Sequence, residues 1–350
     1  MLKLQKNIYE NSQRTILMDA VPLEVPLCVC IEPSNICNFK CRMCFHGNNE
    51  TDPKAKPLQN MPSDIFDKTL NDMKAWVSDT EKKIKLVKLY SLGEPLLHPD
   101  ICDWIKRLKE ADVCDSIEIT TNGSLLSKDV AEKMVNYVLD TLRISVYGVT
   151  DQEQKRVTQS HVSPEEIRNN VKYLQEYKAA KHKNYPTVYA KMIDMHNDES
   201  EKFIKSYTGI ADQVGLDEAF ELTSGEEDVF SKMFGDDNAV SAHKASLDSN
   251  IFKERKVCRY PFTHMTIRSD GTVVVCCADW LKETAYGNIK EHSLKDLWQS
   301  KSLYDFRCDM LEYRGADKPC CRRCEIPYRD TPEDNLDDFP VKKLSYLNEY

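Results

Sequence analysis

Cys37-Asn-Phe-Lys-Cys41-Arg-Met-Cys44-Phe45 directly follows a short apolar run at residues 27–31. We call residues 37–44 the cluster loop, because three thiolates on one short loop can hold three corners of a cubane 4Fe-4S cluster. The fourth iron of such a cluster has no protein ligand. The alternative is a zinc site, for which His46 is the obvious fourth ligand.

The composition is that of an ordinary globular protein. The chain has 350 residues, of which 41% are hydrophobic and 30% charged, enough for one large domain and a small one. A net charge of -9, with no cluster of Lys and Arg, argues against nucleic acid as the main partner. Residues 1–20 contain no long apolar run, so they predict neither a signal peptide nor a membrane span. We therefore expect a cytoplasmic protein.

The fourteen cysteines are distributed unevenly. Most fall within residues 37–44 and 258–324, a grouping typical of metal sites rather than of scattered disulfides. Four others lie in apolar surroundings and are predicted to be small buried residues: Cys28, Cys30, Cys102 and Cys114.

Predicted strands and helices alternate along the first two thirds of the chain. Alternation of this kind indicates parallel βαβ units with right-handed crossovers. Six units predict an α/β fold, a partial (β/α)6 TIM-like barrel, whose functional groups lie at the C-terminal ends of the strands. The predicted strands are 28–32, 83–90, 116–121, 141–146, 187–193 and 213–222, and the predicted helices are 63–78, 99–110, 127–137, 163–181 and 199–207.

The same pattern predicts the domain organisation. We expect a leader that packs on the barrel at 1–26, the barrel at 27–223, a linker with one short helix at 224–257 and a tail at 331–350. Between linker and tail lies a small cysteine-rich domain, the auxiliary module, at 258–330. It combines a β-hairpin, at 263–267 and 272–276 around an Asp-Gly turn, with helices at 293–298 and 303–311.

Polar motifs follow three of the predicted strands. The Gly-Glu-Pro segment, Ser91-Leu92-Gly93-Glu94-Pro95, follows the second strand, and Thr120-Thr121-Asn122-Gly123 follows the third. Ser145 lies near the end of the fourth strand. Taken singly, the two segments are explained equally well as ordinary turns, and Ser145 as a structural serine.

In this order after a C-x3-C-x2-C loop, the motifs resemble those of the radical S-adenosylmethionine (SAM) superfamily. The resemblance implies that Cys37, Cys41 and Cys44 bind a 4Fe-4S cluster, and that SAM occupies the fourth iron and is cleaved to a 5′-deoxyadenosyl radical. It also implies a SAM-binding set: Phe45 beside the adenine, Gly93, Glu94 and Pro95 at the amino group, Thr121 and Asn122 lining the pocket, and Ser145 at the ribose or carboxylate. The first glycine of the family's GGEP motif is replaced here.

The C-terminal cysteines resemble the auxiliary-cluster domain of radical SAM enzymes in its short "twitch" form, related to SPASM. The resemblance implies a second 4Fe-4S cluster, ligated by Cys258, Cys276, Cys321 and Cys324. A structural zinc ribbon is the alternative. Cys320 adjoins Cys321, so the spacing does not decide which of these two cysteines is the ligand.

The spacing of these four cysteines is most similar to that of the aminocyclitol dehydrogenase of butirosin biosynthesis. The resemblance thus implies oxidation of a carbinol carbon of a sugar, nucleotide sugar or aminocyclitol, with a flavodoxin- or ferredoxin-type electron donor. Candidate bases or substrate clamps at strand ends are Arg143, Tyr147, Lys191 and Asp194. The alternatives are an epimerase with Cys277 as hydrogen donor, a peptide or protein maturase, and a non-catalytic metal scaffold.

Overall fold

The computed structural model describes residues 14–48, 57–194, 197–219, 240, 241, 245, 254–322, 324–329 and 331–348. The strands are β1 Cys28–Ile31, β2 Ile84–Lys88, β3 Cys114–Thr121, β4 Thr141–Ser145, β5 Thr187–Ile193, β6 Gln213–Asp217, β7 His264–Ile267, β8 Thr272–Val274 and β9 Ala285–Asn288. The helices are α1 Leu17–Ala20, α2 Phe45–Asn48, α3 Ser63–Thr80, α4 Ile101–Ala111, α5 Lys128–Asn136, α6 Asp151–Thr158, α7 Pro164–Ala180, α8 Asp198–Tyr207, α9 Tyr260–Thr263, α10 Leu294–Trp298 and α11 Lys301–Leu311.

The nine strands named above form one continuous sheet. Their order is β6-β5-β4-β3-β2-β1-β7-β8-β9, and every neighbouring pair from β6 to β7 is parallel. β8 and β9 are antiparallel additions beyond β7. The α/β fold is therefore confirmed, as a mostly parallel sheet consistent with a partial TIM barrel plus a cysteine-rich C-terminal domain. The hairpin of the auxiliary module extends the barrel sheet, since Cys28 of β1 pairs with both Leu86 and His264.

Local sequence signals explain several boundaries. Oγ of Ser163 accepts a 3.2 Å hydrogen bond from the backbone N–H of Glu165, and Pro164 opens α7, as the N-cap pattern predicts. Gly271 takes φ +87° in the Asp-Gly turn between β7 and β8, where glycine has no steric cost.

Many predicted boundaries differ from the observed ones by one or two residues, and the following differences are the most relevant to the fold. β6 ends at Asp217, so the predicted strand is wrong at residues 218 and 219, and residues 220–222 lie outside the described part of the chain. β8 ends at Val274, so Cys276 lies beyond the strand in the bend that follows. α6 and β9 were not predicted. Most of the proposed linker lies outside the described residues, and the domain boundaries stay a prediction.

The two faces of the sheet differ in polarity. Because successive strand residues point to opposite faces, one set packs under the helices and the other lines the barrel interior. The helix-facing set is apolar and fully buried, as at Val29, Val87 and Ile117. The interior set carries charge, for example Lys88 on β2 and Glu118 on β3, which are paired in the sheet.

The two ends of the chain pack together. Leu17 and Val21 belong to a small core with Leu336, Phe339 and other C-terminal residues, whereas Val25 belongs to the main core. The described part of the leader therefore contacts the C-terminal segment as well as the barrel.

Candidate active site

The cluster loop is fixed by backbone hydrogen bonds. Within the loop, the N–H of Cys44 donates to the carbonyl of Cys41 over 2.9 Å. The end of α6 braces it from outside, because Lys40 and Arg42 donate their N–H groups to the carbonyls of Thr158 and Val157 over 3.0 and 2.9 Å. The unpredicted helix α6 thus supports the loop that carries the three thiols.

The three thiols of the loop fit an iron–sulfur cluster. Burial, then the nearby Glu94 carboxylate and Cys44 thiol, raises the pKa of Cys37 to about 12. Burial, followed by Cys44 and Cys37, likewise raises the pKa of Cys41. Three mutually repelling thiolates, one buried and two half-buried, are costly on their own, and a metal that binds them as thiolates removes that cost.

The Gly-Glu-Pro segment packs directly on the start of this loop. A Cβ atom on Gly93 would lie 2.3 Å from the carbonyl oxygen of Ser34 and 2.4 Å from that of Ile36. The next residue, Glu94, donates its N–H to the carbonyl of Ile36 over 2.8 Å. Only glycine permits this approach, which places the Glu94 carboxyl group beside the cluster loop.

The carboxyl group of Glu94 joins the two predicted SAM motifs. It accepts hydrogen bonds from Oγ1 of Thr121 at 2.6 Å, the N–H of Asn122 at 2.8 Å and the N–H of Leu96 at 3.1 Å. Burial nevertheless raises the pKa of Glu94 to about 7. Nδ2 of Asn122 also donates to Oδ1 of Asn38 over 2.8 Å, so the motif after β3 contacts the cluster loop as well.

The remaining predicted SAM contacts are placed as follows. Pro95 is buried at the start of the short 3-10 helix Pro95–Leu97. Ser145 is the half-buried last residue of β4, beside Lys191 of β5. Phe45 is the first residue of α2, directly after the cluster loop.

The auxiliary module brings a second set of thiols together. Electrostatic repulsion links Cys276 to Cys258 and Cys324, and links Cys321 to the same two residues. The predicted ligands therefore form one cluster of thiols. Sγ of Cys320 is 3.7 Å from Sγ of Cys321, and it also lies within 4.8 Å of carboxylate oxygens of Asp279 and Glu283.

The four candidate bases lie in different surroundings. Nη1 of Arg143 is 3.4 Å from Oε1 of Glu118, and Nζ of Lys191 is 3.0 Å from Oδ2 of Asp217. Asp194, just after β5, accepts a 2.8 Å hydrogen bond from Oγ of Ser200. The first two contacts lie among the strands of the barrel, and the third joins the end of β5 to α8.

Tyr147 has a different position from the other three. Its hydroxyl lies within hydrogen-bonding range of the Cys41 thiol, and its ring packs edge-on against Phe39. Burial, then the thiols of the cluster loop, raises the pKa of Tyr147. The structure thus places Tyr147 at the cluster loop, where it supports a ligand.

The sequence analysis missed a group of interior residues. The hydroxyl of Tyr90 donates a 2.6 Å hydrogen bond to Oε1 of Glu118, and Lys88 lies close to both. Cys277 is the largest cause of the raised pKa of Cys30, so the two thiols lie close together and this bend of the auxiliary module faces the barrel interior. Cys28 and Cys30 are buried as predicted, although on the polar face of β1. This interior group could have been found from the sequence by one signal: charged residues at the interior-facing positions of otherwise apolar strands.

Comparisons with known proteins agree with this arrangement. The profile of the Radical SAM superfamily matches residues 31–204, and that of SPASM, an iron-sulfur cluster-binding domain, matches residues 258–325. The chain belongs to the radical SAM superfamily. As a radical SAM enzyme with a SPASM auxiliary domain, it uses SAM and two 4Fe-4S clusters, and the zinc and scaffold alternatives are set aside.

Relatives of this radical SAM enzyme are distant. A tungsten-containing aldehyde ferredoxin oxidoreductase cofactor-modifying protein of Pyrococcus furiosus is 22% identical over 330 residues, 85% of this chain and 86% of that protein. BtrN, solved with AdoMet and 2-DOIA, is 14% identical, with 91% of this chain and 98% of that chain covered and a TM-score of 0.56. SuiB of Streptococcus suis, bound to S-adenosylmethionine, is 17% identical, with 92% and 79% covered and a TM-score of 0.57. At these identities the structural likeness extends to the fold alone.

Among the described residues, no helix is both long and apolar enough to cross a membrane.

Proposed function

We propose that this radical SAM enzyme is a dehydrogenase that oxidises a carbinol carbon of a small hydroxylated substrate, such as a sugar, nucleotide sugar or aminocyclitol. The observation that carries the proposal is the contact between Cys277 and Cys30. Cys277 adjoins the predicted ligand Cys276, and Cys30 lies on the interior face of β1. The bend that holds the auxiliary cluster therefore borders the space where a substrate would lie, which shortens the path for an electron leaving that substrate.

The interior offers the polar contacts that a hydroxylated molecule needs. Arg143 and Glu118 form one charged pair, with Tyr90 on the same carboxylate, and Lys191 and Asp217 form another. Paired charges of this kind can each donate or accept hydrogen bonds without leaving a buried charge uncompensated. A small polar substrate fits this lining better than an apolar one.

SAM and the clusters, when bound, supply the one-electron chemistry by which an alcohol carbon loses a hydrogen atom and one further electron. The protein must then remove the proton of the substrate hydroxyl. We assign this role to the Lys191–Asp217 pair, whose side chains are partly exposed at 23% and 15% and lie at the C-terminal ends of β5 and β6. Asp217 can take the proton, and the neighbouring Lys191 ammonium holds the carboxylate in place.

A second outcome is favoured by the same contact. A Cys277 thiol that borders the interior can return a hydrogen atom to the opposite face of a substrate carbon, which makes the enzyme an epimerase. A peptide substrate is the third outcome, since SuiB has been solved bound to its precursor peptide SuiA.

The proposal also includes a flavodoxin- or ferredoxin-type electron donor and a cytoplasmic location. No disulfide is present among the described residues, which include all fourteen cysteines, and this supports a reducing compartment.

The test is anaerobic turnover with SAM and a strong reductant in deuterated water. Sugars, nucleotide sugars and aminocyclitols are screened against short peptides for substrate-dependent 5′-deoxyadenosine, with a Cys37→Ala variant as the control for the first cluster. We expect a product two mass units lighter than its substrate. Solvent deuterium at one carbon without net oxidation would instead establish the epimerase, provided that Cys277→Ala abolishes it. A response to peptides alone would overturn the small-molecule proposal.

A further inference from the structure

Glu32 and Arg268 form a fully buried ion pair between the barrel and the auxiliary module. Nη2 of Arg268 lies 3.1 Å from Oε2 of Glu32, and the two side chains are 1% and 0% exposed. Glu32 directly follows β1 and Arg268 directly follows β7, two neighbouring parallel strands in which Ile31 pairs with Ile267. The pair therefore lies at the C-terminal edge of the sheet, where the cluster loop begins.

Both partners of the pair also bind the Gly-Glu-Pro segment. Nη1 of Arg268 donates to Oγ of Ser91 over 3.2 Å, and the N–H of Leu92 donates to Oε2 of Glu32 over 3.2 Å. The other carboxylate oxygen of Glu32 accepts from the N–H of Ser269 over 3.1 Å. The first glycine of the motif is replaced by Ser91 or Leu92, depending on the alignment, and the bond from Arg268 uses the Ser91 side chain.

Stability alone is a poor explanation for this pair. Removing two charges from water is costly, and replacing a buried ion pair by apolar residues of similar volume is often neutral or stabilising. The pair does orient its neighbours, because a carboxylate accepts hydrogen bonds, and a guanidinium donates them, in fixed directions. It holds Ser91 and Leu92, while the next two residues, Gly93 and Glu94, are held by the backbone just before the cluster loop, at residues 34 and 36.

We propose that Glu32 and Arg268 are positioning residues for SAM, and that the auxiliary module thereby contributes to the SAM site of the barrel. The inference rests on the proposed function, in which the Gly-Glu-Pro segment binds the SAM amino group. By binding Ser91 and Leu92, the pair fixes the position of the Gly-Glu-Pro segment relative to the C-terminal edge of the sheet. The position of the Glu94 carboxylate then depends on Arg268, the residue that follows β7.

The test compares variants of the reconstituted enzyme under anaerobic conditions. The double variant Glu32→Met with Arg268→Met keeps the volume and removes both charges, and Ser91→Ala removes only the bond to Arg268. Asp212→Asn is the matched control, because Asp212 binds Nζ of Lys178 and the N–H of Val188 at the opposite end of the barrel. The measurements are iron content, the dissociation constant of SAM by calorimetry, and hydrogen exchange at the amides of residues 92–94 and 96.

We expect every variant to retain full iron. The SAM dissociation constant should rise about tenfold in the double variant and about threefold in Ser91→Ala, with faster exchange at Leu92 in the double variant. Asp212→Asn should match the wild type in both measurements. A SAM dissociation constant within twofold of wild type in Ser91→Ala and in the iron-loaded double variant would overturn the inference, as would unchanged exchange at Leu92. If the double variant lost its iron, Ser91→Ala would decide alone. A wild-type enzyme with full iron that neither binds nor cleaves SAM would overturn the proposed function and this inference with it.

Discussion

Oγ1 of Thr121 donates a hydrogen bond of 2.6 Å to Oε1 of Glu94, which joins the end of β3 to the Gly-Glu-Pro segment after β2. The same carboxyl group is buried, and burial raises its pKa to about 7. In the predicted role of Glu94 at the SAM amino group, a carboxyl group titrating near neutrality would give SAM binding a measurable pH dependence, because only the carboxylate attracts an ammonium group.

We predict that SAM affinity falls roughly tenfold between pH 8 and pH 6, as Glu94 gains a proton through its pKa of about 7. Calorimetry in buffers of different ionisation enthalpy should show proton release on SAM binding below pH 7. Glu94→Gln should bind SAM weakly at every pH and without this proton release. An equal pH dependence in wild type and Glu94→Gln would contradict the assignment.

Gly93→Ala should displace the cluster loop. The added Cβ would lie 2.3 Å from a backbone oxygen, so the backbone must move, at a cost of about 1–3 kcal/mol. We expect lower iron loading, a lower melting temperature and loss of SAM cleavage. Gly209→Ala is the control, since no heavy atom lies within 4 Å of its Cβ and only its φ of +81° is unfavourable. Full SAM cleavage by Gly93→Ala would show that the close packing is dispensable.

Cys321→Ala should halve the iron content, whereas Cys320→Ala should retain it. Cys321 interacts with both Cys258 and Cys324, while Cys320 interacts with Cys324 and lies next to Asp279 and Glu283. Two cubanes require about eight irons, so loss of one leaves about four. Iron and sulfide analysis with electron paramagnetic resonance checks this prediction, and the opposite result would assign the ligand to Cys320.

Glu118→Gln should uncouple SAM cleavage from substrate oxidation. The substitution removes the charge that holds Arg143, and we expect product formation to fall about 100-fold while SAM cleavage without substrate is unchanged. The ratio of 5′-deoxyadenosine to product measures the effect. Glu132→Gln is a matched control, because Glu132 accepts a hydrogen bond from Tyr173 outside the barrel. A normal ratio in Glu118→Gln would exclude this pair from substrate binding.

Local signals in the sequence predicted most of the fold. Strand β5 was predicted with its observed bounds, and the cap at Ser163 placed the start of α7 within one residue. These elements carry their own apolar pattern or capping residues, so neighbouring residues suffice to define them. The two cysteine groups were likewise visible from spacing alone.

Other features depend on distant contacts and were missed. Helix α6, Asp151–Thr158, has little apolar character, and its position depends on hydrogen bonds to the cluster loop. The interior group around Glu118 brings together residues from separate strands, and no local pattern says which charges will meet. Cys30 and Cys277 lie close together because β1 pairs with β7, a strand predicted to belong to another domain.

The pairing of β1 with β7 also governs when the barrel can be completed during synthesis. β1 leaves the ribosome early, yet its partner on one side, β7, follows only near the other end of the chain. Until then Cys28–Ile31 presents an unpaired strand edge, the kind of surface that promotes wrong pairing in nascent chains. A contact between residues so far apart in the sequence also slows folding. Truncation before β7 should therefore yield an aggregation-prone chain rather than an independent barrel.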